Sequence, residues 1–244
     1  SFPTRRSSDL YLSVRARNMR IFLALLKKDF LLEIRSKETL SVMVFLSLLM
    51  AVILAAGITN AFVAESVVRK LYPVHVWFVF VVTGAVALGR SYEYEHRHHA
   101  LSGVLLTGVP GSLLFMSKTL STAAIIFIGQ LTTIIGLAVL LDVALGSSLL
   151  SLLPIVALTT FGYAAAGSLI SAMTATSKLR GVLLPLILLP LLFPLCYAAV
   201  ELTFLVMEHG TFPLDSAWFT LLLGLNVLYP AFGIALYDQV ARPE

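Results

Sequence analysis

Few residues in this chain have chemistry to offer, and they fall in a handful of places. His96, His98 and His99 are the densest group. His96 and His99, three apart, would share one helix face, a spacing that suits a metal pair. No cysteine accompanies them, and they stand among Tyr92, Glu93, Tyr94, Glu95 and Arg97. A solvated charged cluster is therefore the expectation, and no metal ligand is assigned. Within that cluster Glu93, Glu95 and Arg97 offer polar contacts, and Tyr92 and Tyr94 offer aromatic anchors to a soluble partner. Gln130 and Asn226 each stand alone in the middle of a long apolar run. Polar groups there either bond a neighbouring helix or line a path for something polar. Glu201 lies near the expected end of another run, placed to snorkel or to face a lateral opening, and Cys196 reads as an apolar side chain. No G-x-x-x-x-G-K-[ST], H-E-x-x-H or G-x-S-x-G pattern occurs, so no catalytic residues are expected.

The elements that carry these residues follow from composition. Of 244 residues, 59% are hydrophobic and 12% charged, against roughly a quarter charged in soluble domains. The mean hydropathy is +0.95. A soluble domain must cover its exterior with polar groups, and this chain has too few. One cysteine rules out an intrachain disulfide framework. What remains is an all-α polytopic membrane protein. A window of about 19 residues gives six spans, near 40–61, 73–89, 119–141, 150–173, 182–206 and 216–237. His75 and Trp77 suit an interfacial end of the short second span. Gly162 with Ala166, and Gly167 with Ser171, give small-xxx-small spacing for close helix packing. Pro185, Pro190 and Pro194 in the fifth span predict a kinked or broken helix.

Charge asymmetry sets the expected orientation. Arg20, Lys27, Lys28, Arg35, Lys37, Arg90, Arg97, Lys118, Lys178, Arg180 and Arg242 fall on one side; Arg69 and Lys70 fall on the other. The positive-inside rule then puts both termini and the long second connection in the cytoplasm. The basic residues form no stripe, so no nucleic-acid partner is expected; lipid and orientation account for them. Residues 1–18 resemble a translated adaptor sequence rather than natural chain, and the domain is expected to run over 19–244. Without that tail, which carries Arg5, Arg6, Arg15, Arg17 and Asp9, the formal charge falls from +4 to +1.

Two further segments are patterned. Residues 21–36, IFLALLKKDFLLEIRS, read as an amphipathic interfacial helix, either a membrane anchor or an elbow that also touches a cytoplasmic partner. The second connection, 90–118, opens charged, turns apolar from Leu101 to Val109, and breaks at Gly108, Pro110 and Gly111. Tethers are shorter and less patterned, so it is expected to present a helical knob to a soluble protein. The extramembrane segments leave no room for a catalytic domain, so any ATP hydrolysis must come from another chain.

This order of parts resembles the permease subunit of the cytochrome c maturation haem-exporter ABC transporter, the CcmB family. The resemblance spans nearly everything from Met19 onward. His99-Ala100-Leu101-Ser102-Gly103-Val104-Leu105-Leu106, continuing to Pro110 and Lys118, is similar to the family's acidic–Gly–Ala–Leu–acidic–Gly–Leu–Leu run. Lys178-Leu179-Arg180-Gly181-Val182-Leu183-Leu184-Pro185, with Pro190 and Pro194, is similar to its R-G-x-L-L segment and is the more specific match. His98 and His99 replace the family's acid and glycine, and Ser102 replaces an acid. The resemblance implies an ABC-2-type permease in the bacterial inner membrane that dimerises with a second copy and binds a cytoplasmic ABC ATPase. Tyr92, Glu93, Glu95, Arg97, Leu101, Leu105 and Leu106 would make that contact, and Lys178, Arg180 and Gly181 would place the inner end of the fifth helix. It also implies a haem-handling membrane protein as neighbour and haem as cargo. With only Trp77 and Trp218, far apart, the chain is assigned no haem ligand and no directly bound cofactor. The competing expectations are an ABC-2 permease for another apolar cargo, lipid or drug, and an ATP-independent membrane scaffold.

Overall fold

A bilayer offers no water to the backbone, so a chain this apolar must satisfy its amides within its own helices. The computed structural model describes residues 17–31, 38–61, 64–97, 109–146, 148–174 and 180–241, and among them every regular element is a helix. A helix over 17–31, α1, precedes α2 (Glu38–Asn60), α3 (Glu65–Arg97), α4 (Gly111–Leu140), α5 (Ser148–Met173), α6 (Arg180–His209) and α7 (Ala217–Ala241). The last six are long and apolar enough to cross a membrane. Residues 1–16 of the adaptor-like tail lie outside the described residues, and Arg17 and Asn18 belong to α1.

The sequence-based spans hold in number, but several boundaries move. The second is not a short helix starting at Pro73. It begins at Glu65, runs through Pro73 and continues to Arg97. At 1.5 Å per residue α3 is about 50 Å long, well beyond the roughly 30 Å of hydrocarbon. Its apolar span ends at Gly89, so the charged cluster emerges as the last turns of α3 itself. Proline misled the boundary because a bilayer-embedded bundle tolerates it where a soluble helix does not. The fifth span is likewise unbroken through Pro185, Pro190 and Pro194. Near Pro194, which has no N–H for the helix ladder, the Tyr229 hydroxyl donates to the Leu191 carbonyl at 2.6 Å.

Helix α5 is the centre. It packs against α3, α4, α6 and α7, and residues 162–168 are buried on every side. Such burial requires small residues. A methyl on Gly162 would meet Leu195 of α6 at 3.0 Å and the Asn226 side chain of α7 at 3.2 Å; Gly167 lies under Leu88 of α3. The expected small-residue packing is therefore present. Gly84 of α3 in turn lies against the ring of Tyr163, whose hydroxyl donates to the Val81 carbonyl at 3.2 Å. Peripheral α2 packs on α3 and α4, with Met43 seated on Gly129.

Trp77 corrects another expectation. It is not interfacial but 2% exposed. Its indole N–H donates to Thr203 Oγ1 at 2.9 Å, joining α3 to α6, and its ring meets Phe80 edge-on. Tyr72 similarly donates to the Ile134 carbonyl at 2.7 Å, joining α3 to α4.

Turns close the helices by satisfying their last carbonyls. Asp142 takes a positive φ of 52°, which lets the Val143 N–H reach back to the Ala138 carbonyl at 2.9 Å. Gly210, at φ 73°, ends α6 with its N–H on the Val206 carbonyl.

Packing at Gly84 gives a direct test. Gly84→Ala puts a methyl 2.8 Å from Tyr163 Cζ and is expected to destabilise the bundle by about 1–3 kcal/mol. Gly224→Ala, with nothing within 4 Å, should stay within about 0.5 kcal/mol of wild type. Unfolding midpoints in mixed SDS micelles measure both.

Candidate functional site

Contacts between helices fix which ends share a face. At one face Arg69 of α3 donates to the Met207 carbonyl of α6 at 3.0 Å, and Ser151 of α5 donates to the Gly210 carbonyl at 3.4 Å. At the other face Phe115, near the start of α4, contacts Gly233 and Tyr237, near the end of α7. There also Ser117 of α4 donates to Asp29 of α1 at 3.2 Å. The end of α3, the start of α4, the end of α5 and the start of α6 therefore share the face that holds α1.

Of the predicted contact residues, those that the structure describes lie on helix ends at this α1 face. Tyr92, Glu93, Glu95 and Arg97, with His96, occupy the last turns of α3; of their side chains nothing is described. Leu101, Leu105, Leu106, Lys178, His98, His99 and Ser102 lie outside the described residues. Arg180 and Gly181 open α6. The proposed break after the connection holds at Pro110, which precedes α4, and its carbonyl accepts from the Leu113 and Leu114 N–H groups. Among the described residues no three His, Cys, Asp or Glu side chains come together as a metal site.

Helix α1 supplies what the sequence did not show. Ile21 and Leu25 pack against the bundle core, and Asp29 continues that i, i+4, i+8 stripe. Met19, Leu23 and Leu31 project from the exposed side, as an interfacial helix requires. Asp29 uses both carboxylate oxygens, one for Ser117 and the other for Lys28 Nζ at 3.1 Å. Of the segment 21–36 expected as an interfacial helix, residues 21–31 are helical within α1, and residues 32–37 lie outside the described residues. Because Ser117 is buried, this hydrogen bond ties α1 to the first two turns of α4. No spacing rule pairs residues 88 positions apart, so the link was invisible in the sequence.

Inside the bundle the two isolated amides behave differently. Gln130 is 1% exposed, and its Nε2 donates to the Val76 carbonyl of α3 at a long 3.4 Å. Asn226 Nδ2 donates to the Leu222 carbonyl of its own helix at 2.8 Å. Gln130 Oε1 and Asn226 Oδ1 find no partner among the described residues. Gln130 is therefore an interhelical bond, while Asn226 bonds its own turn and abuts Gly162. Cys196 is a free thiol packed against the core.

Two outcomes follow. Ser117→Ala should raise hydrogen exchange and protease cleavage over 17–31 while the unfolding midpoint of the bundle stays within about 1 kcal/mol. Gln130→Leu, losing one long bond and an unpartnered oxygen, should change that midpoint by less than about 1 kcal/mol; a larger loss would mean the amide holds α3 to α4 more firmly than its geometry indicates.

No curated protein matches the chain. A family model described as CcmB protein matches residues 20–235, which takes in most of α1, the first five spans and the sixth as far as residue 235. The chain belongs to the CcmB family and is accordingly a membrane component of the haem-export ABC transporter of cytochrome c maturation.

Proposed function

We propose that this chain is the permease subunit that couples a separate cytoplasmic ABC ATPase to the membrane, with the α1 face in the cytoplasm. The observation that carries this reading is the junction of α1, the protruding end of α3 and the buried start of α4. Helix α3 carries the charged cluster beyond its apolar span. Helix α4 re-enters from Pro110 with Asp29 of α1 bonded to Ser117. A protein that engages residues 90–108 therefore acts on α3, α4 and α1 together, and rigid helices carry that displacement into the bundle. The charge asymmetry of the sequence supports its cytoplasmic side, since Arg69 and Lys70 are the basic residues that the sequence assigns to the other side.

In this role Tyr92, Glu93, Glu95, Arg97, Leu101, Leu105 and Leu106 contact the ATPase, and Lys178, Arg180 and Gly181 set the inner end of α6. The chain supplies no nucleotide chemistry and keeps no resident cofactor; haem is the cargo of the complex. It works in a bacterial inner membrane with a second copy of itself and a haem-handling membrane protein, which support from the family makes the natural neighbours.

Reconstitution with a candidate ABC ATPase tests the coupling. Glu95→Ala with Arg97→Ala should weaken complex formation about tenfold or more, the scale of a lost interface hot spot. Unchanged complex and unchanged ATPase activity in that variant overturn the assignment. Deleting the chain from its host should also abolish c-type cytochromes, and their persistence would exclude the haem cargo.

A further inference from the structure

Helix α1 turns one continuous face away from the bundle, and that face mixes cations with bulky apolar groups. Met19, Arg20, Leu23, Ala24, Lys27 and Leu31 are all exposed, and at 3.6 residues per turn they fall within one arc of about 140°. The opposite side is spent on the protein: Ile21 and Leu25 pack against the core, and Asp29 holds Ser117. Lys28 is spent as well, on Asp29. Arg20 and Lys27, two turns apart, lie along the middle of the exposed arc, about 10 Å from each other along the axis. Among the described residues no acidic side chain pairs with either. Met19, Leu23 and Leu31 beside them are each about half exposed. Water would satisfy the two cations but not these three side chains, and hydrocarbon would do the reverse. The boundary between the two satisfies all of them.

The attachment of α1 sets its level. Helix α4 has 30 residues, about 45 Å at 1.5 Å per residue, roughly 15 Å more than the hydrocarbon layer needs. Ser117 stands six residues after Gly111, where α4 starts, about 9 Å along the axis. Asp29 is therefore held near the level at which α4 leaves the hydrocarbon, among the headgroups. The chain continues to α2, whose apolar span opens at Leu40 and is one of the two least buried in the bundle. Helix α1 thus leads into a lipid-facing span.

We propose that the exposed face of α1 is a binding surface for anionic phospholipid, with Arg20 and Lys27 on the lipid phosphates and Met19, Leu23 and Leu31 against the upper acyl chains. Charge complementarity selects this occupant. A zwitterionic headgroup brings its own cation to the same place and cancels the attraction. A second copy of this chain meeting through the same face would set Arg20 and Lys27 against their equivalents. A soluble acidic protein could meet the cations, but it stands outside the headgroup level at which Ser117 holds α1. Bound lipid presses α1 toward the start of α4, in the same sense as the Asp29 hydrogen bond, so an anionic leaflet steadies that junction. The proposal does not depend on the ATPase reading, because it rests on the burial, charge and level of α1 alone.

A fluorophore on Ala24→Cys, in a Cys196→Ala background of the full chain, tests it in vesicles. Quenching by brominated phosphatidylglycerol is compared with quenching by brominated phosphatidylcholine at equal mole fraction. The relative binding constant should favour phosphatidylglycerol by about fivefold for each cation and fall to near unity in Arg20→Gln with Lys27→Gln. Arg20→Lys with Lys27→Arg, which keeps the charge, should retain most of the preference. The same label on Leu150→Cys, exposed at the start of α5 on the opposite face, should show no preference. Equal quenching by the two lipids overturns the proposal, as does a preference that survives in the neutral variant. A label left unquenched by both lipids, and shielded only when a soluble protein is added, also overturns it and assigns the face to that protein. If the neutral variant fails to accumulate, salt decides: the wild-type preference should vanish near 1 M, where screening acts over about 3 Å, and its persistence there overturns the proposal.

Discussion

The exclusion of water from the bilayer governs the interior of this protein. Helices in lipid gain little from hiding apolar surface, since the lipid is equally apolar, so they are held by close packing and by polar groups that find partners inside. Both devices converge on α5. Its buried stretch of small residues admits Leu88, Leu195 and Asn226 to its backbone surface, and long helices can then surround it without voids. Around this centre, Trp77 bonds Thr203, and Tyr72, Tyr163 and Tyr229 donate to main-chain carbonyls of α4, α3 and α6. Each of these aromatic groups fills apolar volume and spends its polar tip on a group the bilayer could not satisfy.

The same constraint separates the two faces. Where helices leave the hydrocarbon, polar contacts become varied: Arg69 meets the end of α6, and Asp29 meets both Lys28 and Ser117. The α1 face gathers the charged end of α3, the start of α4 and the start of α6 in one region. A contact made at this face would reach several spans at once.

Much of the architecture was legible in residue order. Six apolar runs implied six crossings, and the prolines and glycines within them were compatible with a membrane bundle. The alternation of apolar and charged residues in 21–36 implied a helix, and the structure has one over 17–31. Boundaries were less legible, because Pro73 looks like a helix start by soluble rules yet lies inside α3. Trp77 was misread for a similar reason. Its type fits an interface, but its depth and its bond to Thr203 depend on where α6 passes, 126 positions later in the chain.

What the sequence determined by itself is what local composition can encode: membrane residence, the number of spans, the charge asymmetry between their ends, and family membership through the runs at 99–118 and 178–194. What only the tertiary structure decided is pairing. That Asp29 meets Ser117, and that Gln130 reaches Val76 while Asn226 bonds its own helix, depend on helix rotation and register. An apolar run in lipid is hydrophobic around its whole circumference, so its pattern carries little record of which face turns inward. Rotation is set instead by which small residues admit a neighbour and which polar groups find one, and those choices exist only once the helices are together.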